Sequence, residues 1–193
     1  MRKIYFVVNN ELNYDQRMIR ICTTLAANNY NIVLVGKAYS GSLPLTPAKF
    51  NQERMWCWFK KGKTAYLEYN LKLFFFLLFR KTDALCAIDL DTILPVLLLS
   101  AVKKCKRIYD AHELFIEMKE VVSRPSVKMI WDWVERNTVP YFSSGYTVSE
   151  SIAQFFYKKY AVNYGVIRNM PKMPGVFSPV QVTEKYILYQ GAV

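Results

Sequence analysis

The residue best suited to chemistry is His112, the single histidine of the chain, which stands in the run Asp110-Ala111-His112-Glu113. An imidazole donates or accepts a hydrogen bond near neutral pH, so it suits proton transfer or contact with a polar ligand. A lone histidine is more often structural, but a place after a predicted strand and between carboxylates favours a functional role. A hydrolytic triad is not indicated, because the sequence has no nucleophile-elbow motif.

Other polar residues follow the apolar runs that are predicted to be strands. Parallel sheets bind ligands outside the carboxyl ends of their strands, so these residues are expected to meet at one edge. Asp91 and Glu150 have simpler interpretations, as a helix cap and a first-turn acid. Besides Asp110, His112 and Glu113, the candidate binding residues are Asn9, Asn10, Tyr14, Arg17, Asp89, Arg168 and Asn169.

Short apolar runs alternate with amphipathic stretches, and these elements must position the candidates. The run 4–8 is continuously apolar, which is typical of a strand covered on both faces, and Asp15 is the predicted N-cap of the helix that follows. The recurring pattern predicts an α/β fold: a Rossmann-like, doubly wound parallel sheet with helices on both faces. Further strands are predicted at 32–35, 55–59, 84–88, 107–109, 145–148 and 164–167, and further helices at 64–79, 91–104, 126–141 and 149–160.

No resident cofactor and no metal are expected. The dinucleotide fingerprint and the P-loop both require glycines, and the loop from Asn9 to Tyr14 has none. Asp15 also competes for the N–H groups that a phosphate would use at the helix N-terminus, so a role for this loop as a cap or as a ligand contact stays open. One histidine and four separated cysteines without a CxxC pair argue against zinc.

Four short motifs occur in an order that resembles a known family. They are Tyr14–Met18, Tyr109–Glu113, Val148-Ser149 and Val166–Pro171. In order and spacing they resemble the N-terminal, acceptor-side domain of the family 4 retaining glycosyltransferases, which have the GT-B fold. The run Tyr186–Gly191 resembles the first strand of the second, donor-binding domain of that family, so the resemblance covers nearly the whole chain.

The resemblance implies one half of a two-domain enzyme. Residues 1–169 would be the N-terminal acceptor domain, 170–183 the interdomain linker, and 184–193 the first strand of a truncated donor domain. The reaction implied is metal-independent transfer of a sugar, with retention, from a nucleotide-sugar donor to a saccharide or lipid-linked acceptor, in cell-surface polysaccharide synthesis. The nucleotide-sugar is a substrate here, bound mainly by the missing domain.

The resemblance also implies roles for single residues. His112 would contact the donor sugar near the reacting carbon, the loop Asn9 to Tyr14 would lie under the sugar phosphates and the acceptor, and Arg168-Asn169 would lie at the hinge. Two departures stand out: Asn9-Asn10 replace a Gly-Gly pair common in the family, and no E-x7-E pair of the donor domain is present. The 193-residue piece is therefore expected to be inactive alone.

A net charge of +11 indicates an anionic partner. The longest apolar runs have seven residues, against about 20 needed to span a bilayer, so a cytoplasmic protein, peripheral on the inner membrane face, is expected. The Phe-rich segment 71–79 is either membrane-facing or a core helix, and apolar residues on nearly every face favour the core. A non-catalytic basic module that binds anionic membrane lipid or phosphorylated ligands remains the alternative; nucleic acid is the weaker partner, because no recognised motif for it appears.

Overall fold

Seven parallel β-strands form the centre of the protein in the computed structural model, which describes residues 1–170. They are β1 (Lys3–Val7), β2 (Asn31–Ala38), β3 (Asn51–Trp56), β4 (Ala84–Ile88), β5 (Lys106–Ala111), β6 (Gly145–Thr147) and β7 (Gly165–Val166). Their order is β3-β2-β1-β4-β5-β6-β7, and every neighbouring pair is parallel. The order reverses between β1 and β4, and open α/β sheets bind ligands at such a point.

Helices cover both faces of this sheet, as predicted. Within residues 1–170 they are α1 (Gln16–Ala27), α2 (Lys63–Leu78), α3 (Ile93–Lys103), α4 (Lys119–Val122), α5 (Pro125–Thr138) and α6 (Glu150–Tyr160). Right-handed crossovers place α1 on one face of the sheet, because β2 lies to one side of β1. They place the helices after β3 on the other face, because β4 lies on the opposite side of β1. Met18 and Cys22 of α1 belong to one core, whereas Leu73 of α2, Val96 of α3 and Phe156 of α6 belong to the second.

The face that carries α1 is only partly covered by the described residues. A groove of about 780 Å³ lies beside α1, over β1, β4, β5 and β6. Ile4, Phe6, Ile108 and Tyr146 form its apolar floor, and Arg168 lies on its border. This groove is therefore distinct from the carboxyl edge of the sheet, where the candidate residues were expected.

Most predicted elements are confirmed within a few residues, but the strand predicted at 55–59 was placed wrongly. The observed β3 covers Asn51–Trp56 and pairs only with β2, at the edge of the sheet. Its first four residues are polar, and an edge strand tolerates them because one side of it faces solvent. The apolar residues after Trp56 therefore gave a misleading signal.

The predicted caps divide into two outcomes. Asp15 and Ser149 are confirmed as N-caps, since their side chains accept hydrogen bonds from the backbone N–H groups of Met18 and Ile152. The prediction that Asp91 caps a helix was wrong: α3 begins at Ile93, after a 3₁₀ turn formed by residues 90–92. The carboxylate of Asp91 contacts Asn9 instead.

Helix α2 also differs from the expectation of a helix buried on every face. Tyr69, Leu73 and Leu77 are buried against the sheet, while Leu71 and Phe75 are more than half exposed. No helix in the described part of the chain combines the length and apolarity needed to cross a membrane. Apart from Met170, the predicted linker 170–183 and the predicted strand 184–193 lie outside the described residues.

Candidate functional site

The polar residues that end β1, β4 and β5 converge where the strand order reverses. β1 leads into Asn9, β4 into Asp89, and β5 into His112, and these three strands are neighbours in the sheet. Because they are parallel, their carboxyl ends lie at one edge. The sequence expectation that these loops meet is confirmed by this topology.

His112 is held by Asp89. Its Nδ1 atom lies 2.9 Å from Asp89 Oδ1, and the two side chains are 25% and 18% exposed. Both atoms are buried, and neither forms a hydrogen bond of ordinary geometry among the described residues, so the contact acts through charge. The nearby carboxylate favours a proton on Nδ1, which leaves Nε2 for a ligand. Nε2 lies 3.6 Å from Glu113 Oε1 at the mouth of the site.

The backbone at Asp89 is strained. Its φ of 58° and ψ of 174° fall in a region that residues other than glycine rarely adopt, at a cost of roughly 1–3 kcal/mol. The backbone N–H of Asp89 donates to the carbonyl of Asp110 at 3.0 Å, which ties the end of β4 to β5. The strained residue is therefore the one whose carboxylate lies beside His112 Nδ1.

The charge state of His112 follows from the same contact. Burial acts to lower the pKa of His112, but the neighbouring Asp89 carboxylate outweighs it, so the pKa lies above its ordinary value. Burial raises the pKa of Asp89, against the attraction of the imidazole. A histidine in this setting exchanges a proton close to neutral pH, which suits proton transfer or stabilisation of a negative ligand.

A second buried acid lies behind this pair. Asp91 Oδ2 accepts a hydrogen bond from Asn9 Nδ2 at 3.0 Å, and its backbone carbonyl accepts one from Asn70 at 2.9 Å. Burial, followed by repulsion from Asp89, raises the pKa of Asp91 to about 7. Asp91 therefore titrates near neutral pH, beside Asp89 and His112, whose pKa values both lie above their ordinary values.

We expect Asp91→Asn to change how stability depends on pH. The raised pKa of Asp91 means that the folded state holds a proton that the unfolded state releases, so this residue destabilises the fold as the pH rises from about 4 to 7. The variant is permanently neutral and keeps an acceptor for Asn9. The free energy of unfolding of the variant, relative to that of the wild type, should increase with pH by at most about 1.4 kcal/mol per pH unit. Urea unfolding at pH 5 and pH 7.5 measures this difference. A constant difference at the two pH values would contradict the prediction.

Beneath the site, Arg17 of α1 forms an ion pair with Asp110 of β5. Asp110 is fully buried and Arg17 is 9% exposed, so both charges are largely removed from water. Burial raises the pKa of Asp110, although the guanidinium opposes that rise. The pair fixes the N-terminal turn of α1 to the strand that carries His112.

The first loop is fixed by packing. Leu12 is fully buried, and the carbonyl of Asn10 accepts a hydrogen bond from the backbone N–H of Lys37 at 3.0 Å. A Cβ atom on Gly36 would lie 2.4 Å from a methyl group of Leu12 and 2.7 Å from the Asn10 carbonyl oxygen. Gly36 on β2 therefore permits the first loop to approach the strand closely. The loop itself carries Asn9-Asn10 in place of a Gly-Gly pair.

A cleft of about 610 Å³ opens above these residues. Among the predicted candidates, Asn10, Tyr14, Arg17, His112, Glu113 and Asn169 line it. The side chains of Asn9, Asp89 and Asp110 lie behind it as supports. Arg168 lines the groove beside α1 instead.

Sequence reasoning missed two residues of the cleft. Arg20 and Tyr39 both line it, and Arg20 donates a hydrogen bond to Asn169 Oδ1. Arg20 follows Arg17 by three residues, so helical spacing places it on the same side of α1. Tyr39 follows β2 and could have been found by extending the strand-end rule to that strand.

The described residues 1–170 contain no cluster of three or more His, Cys, Asp or Glu side chains arranged to hold a metal ion. The chemistry available in the cleft is that of an imidazole beside a carboxylate, further carboxylates, amides and Arg20.

Comparison with known proteins gives a fold and no closer relative. No protein-family model and no curated protein matches the sequence. Sucrose-phosphate synthase from Thermosynechococcus elongatus has a similar structure, with a TM-score of 0.59 and 8% identity over 87% of this chain and 47% of that protein. The calicheamicin glycosyltransferase CalG4 matches with a TM-score of 0.56 and 12% identity over 93% of this chain and 55% of its own. A UGT transferase from Siraitia grosvenorii, solved with UDP, has a TM-score of 0.54 at 6% identity, over 87% of this chain and 50% of its own.

These likenesses define a class of fold. The chain has the Rossmann-like α/β fold of one domain of GT-B glycosyltransferases. It spans about half the length of these full proteins.

Proposed function

We propose that this chain is the N-terminal, acceptor-side domain of a retaining glycosyltransferase. The enzyme would transfer a sugar from a nucleotide-sugar to a saccharide or lipid-linked acceptor, in the synthesis of a cell-surface polysaccharide. The observation that carries the proposal is His112, which follows β5 close to the reversal point of the sheet, lines the cleft, and has Nδ1 2.9 Å from Asp89 Oδ1.

His112 would contact the donor sugar through Nε2. Departure of the nucleoside diphosphate leaves positive charge on the sugar ring and negative charge on the leaving oxygen. An imidazole that donates a hydrogen bond to the leaving oxygen would favour that separation, because it stabilises the negative charge that develops there. The Asp89 carboxylate raises the pKa of His112 against the effect of burial, which favours the protonated ring.

The first loop would lie under the sugar and its phosphates. Asp15 already accepts a hydrogen bond from an N–H of the first turn of α1, so that helix end is a poor phosphate site. Arg20 and the exposed Asn10 are better placed to contact polar groups in the cleft. The nucleotide itself would be held mainly by a second domain.

The proposal predicts retention at the anomeric carbon. Full-length protein, incubated with a panel of nucleotide-sugars and an acceptor mixture in the presence of EDTA, should release nucleotide and give a product with the anomeric configuration of its donor. Nuclear magnetic resonance of the isolated product reports that configuration. An inverted product would contradict the retaining mechanism, and a requirement for divalent metal would contradict metal independence.

The net charge of +11 also favours the second candidate, a non-catalytic basic module for anionic lipid or phosphorylated ligands. The two candidates differ in what His112 does. A binding module needs no histidine paired with Asp89 at the end of a strand, so the same sugar-transfer assay distinguishes the two candidates. Full-length protein that binds anionic ligands and transfers no sugar would support the module.

A further inference from the structure

Helices α2 and α3 expose rows of large apolar side chains. Leu67, Leu71, Phe75 and Phe79 follow one another at four-residue intervals along α2 and its C-cap, and they are 62%, 51%, 60% and 84% exposed. Leu94, Leu98 and Val102 repeat the spacing on α3. Side chains four residues apart lie on the same side of a helix, so each row is continuous.

The two rows belong to one surface. The ammonium group of Lys103, near the end of α3, donates to the carbonyl of Leu78 at the end of α2, at 2.8 Å. The helices therefore lie side by side with their C-terminal ends together. We call the seven side chains just named the apolar helix face.

This composition is unusual for a helix that faces water. The outer side of a surface helix normally carries polar residues, yet α3 has no charged side chain before Lys103. Contiguous exposed apolar patches on a protein commonly mark a binding surface.

Cations surround the apolar helix face. Lys63 precedes it, and Arg80, Lys81, Lys103 and Lys104 lie at the shared C-terminal end of the helices. Three acids lie near these cations: Glu68 is bound to Lys72 and to backbone N–H groups of Trp58 and Phe59, Glu53 lies 3.5 Å from Arg80, and Asp83 follows Lys81 by two residues. The cations outnumber these acids, so the border of the patch carries a net positive charge.

Two tryptophans extend the patch on the side of α2. Trp58 is 70% exposed and Trp56 is 48% exposed, and they contact each other edge to face. The ammonium group of Lys72 lies 4.1 Å from the centre of the Trp58 ring. Tryptophan and lysine side by side are typical of the boundary between lipid headgroups and acyl chains.

We propose that the apolar helix face, with its border of lysine and arginine, binds the surface of an anionic phospholipid bilayer. The apolar side chains would enter the headgroup boundary, and the cations would contact lipid phosphates. A second copy of the chain fits less well, because a symmetric contact would bring the same positive borders together. A bilayer supplies both the apolar and the anionic component.

The proposal is independent of the transfer chemistry. Helices in a parallel α/β sheet run opposite to the strands, so the C-terminal ends of α2 and α3 lie away from the edge that carries His112. A protein bound to lipid through this surface keeps its cleft open, and an inactive protein would bind lipid equally well.

Vesicle co-sedimentation of the 193-residue chain tests the proposal. Vesicles of phosphatidylcholine with 40% phosphatidylglycerol should bind the chain at least tenfold more tightly than pure phosphatidylcholine vesicles, and added salt should weaken that binding. Phe75→Ser with Leu98→Ser should reduce it at least tenfold, and Lys81→Glu with Lys104→Glu should abolish the preference for the anionic lipid. Tryptophan emission should shift to shorter wavelength on binding.

A matched control uses exposed residues of the same types elsewhere. Tyr157→Ser with Lys158→Glu, on α6, removes an exposed aromatic ring and reverses a charge, and it should leave vesicle binding unchanged. Far-ultraviolet circular dichroism establishes whether each variant is folded. If Phe75→Ser with Leu98→Ser does not fold, Lys81→Glu with Lys104→Glu still tests the proposal. Absence of binding to anionic vesicles would overturn the proposal, and so would an equal loss of vesicle binding in the control variant. It would also be overturned if the wild type did not bind vesicles but formed a dimer on gel filtration that Phe75→Ser with Leu98→Ser disrupts.

Discussion

Replacing His112 by alanine is expected to lower the rate of sugar transfer by the full-length protein by about 100-fold or more, the usual range for a lost acid, base or charge-stabilising group. The loss should appear in kcat more than in KM, because an imidazole beside the reacting carbon acts on the charge that develops during the reaction. Initial rates at saturating donor and acceptor measure the effect.

The variant should fold normally. The His112 side chain is 25% exposed and its charged neighbours are Asp89 and Glu113, so removing it is expected to leave little internal cavity. Lys158→Gln on α6 is a matched surface control and should retain the wild-type rate. Wild-type rates in His112→Ala would exclude a catalytic role and leave the histidine a structural residue.

The Asp89 contact gives the same prediction a second readout. Burial acts to lower the pKa of His112 and Asp89 raises it above the ordinary value. In Asp89→Asn the charge is lost and the pKa of His112 should fall. If the protonated ring is the active form, the rate of the variant should decline at a lower pH than that of the wild type. A merely structural Asp89 would lower the rate without moving the profile.

The fold was largely predictable because the central strands are buried on both faces. The runs in β1 and β4 are continuously apolar, and such runs have few interpretations other than buried parallel strands. The same reasoning failed at β3, where Asn51 to Arg54 form an edge strand without an apolar signal. An edge strand is stabilised by pairing with one neighbouring strand, and a single sequence does not reveal which strands pair.

The edge on which the site lies was predictable, but its pairings were not. Strand ends identified Asn9, Asp89 and His112 from position alone. Asn9 and Asp91, however, are 82 residues apart, and this long-range contact replaced the local role expected of Asp91 as a helix cap. Local capping is the default only where no buried partner competes, and Asn9 is such a partner.

Exposure of the Phe-rich helix depended on its neighbours as well as its own pattern. An apolar helix in a globular domain is expected to be buried on all sides, but α2 packs on the sheet and against α3 and leaves its outer side open. The described residues place no third layer over Phe75 or Leu98, which are 60% and 55% exposed. The sequence pattern is therefore as consistent with an exposed apolar face as with burial on every side, and the structure shows exposure.

Replacing Arg17 by methionine is expected to destabilise the fold by about 3–5 kcal/mol. The substitution leaves Asp110 without its cationic partner at a position with no exposure to solvent, and an uncompensated buried charge carries a penalty of that order. Urea unfolding of the 193-residue chain at pH 7 measures it. The exposed pair Arg136–Asp132 provides the control, since Arg136→Met should cost less than about 1 kcal/mol.

Two further measurements identify the cause of that loss. Arg17→Met with Asp110→Leu removes both charges, so it should recover a large part of the stability that the single variant loses. Burial already raises the pKa of Asp110 in the wild type, and without Arg17 it should rise further. A carboxyl whose folded-state pKa exceeds its unfolded value binds a proton on folding, so Arg17→Met should regain stability as the pH falls towards 5. Equal losses in Arg17→Met and Arg136→Met, with no recovery at low pH, would show that the Arg17–Asp110 pair does not hold α1 to the strand that carries His112.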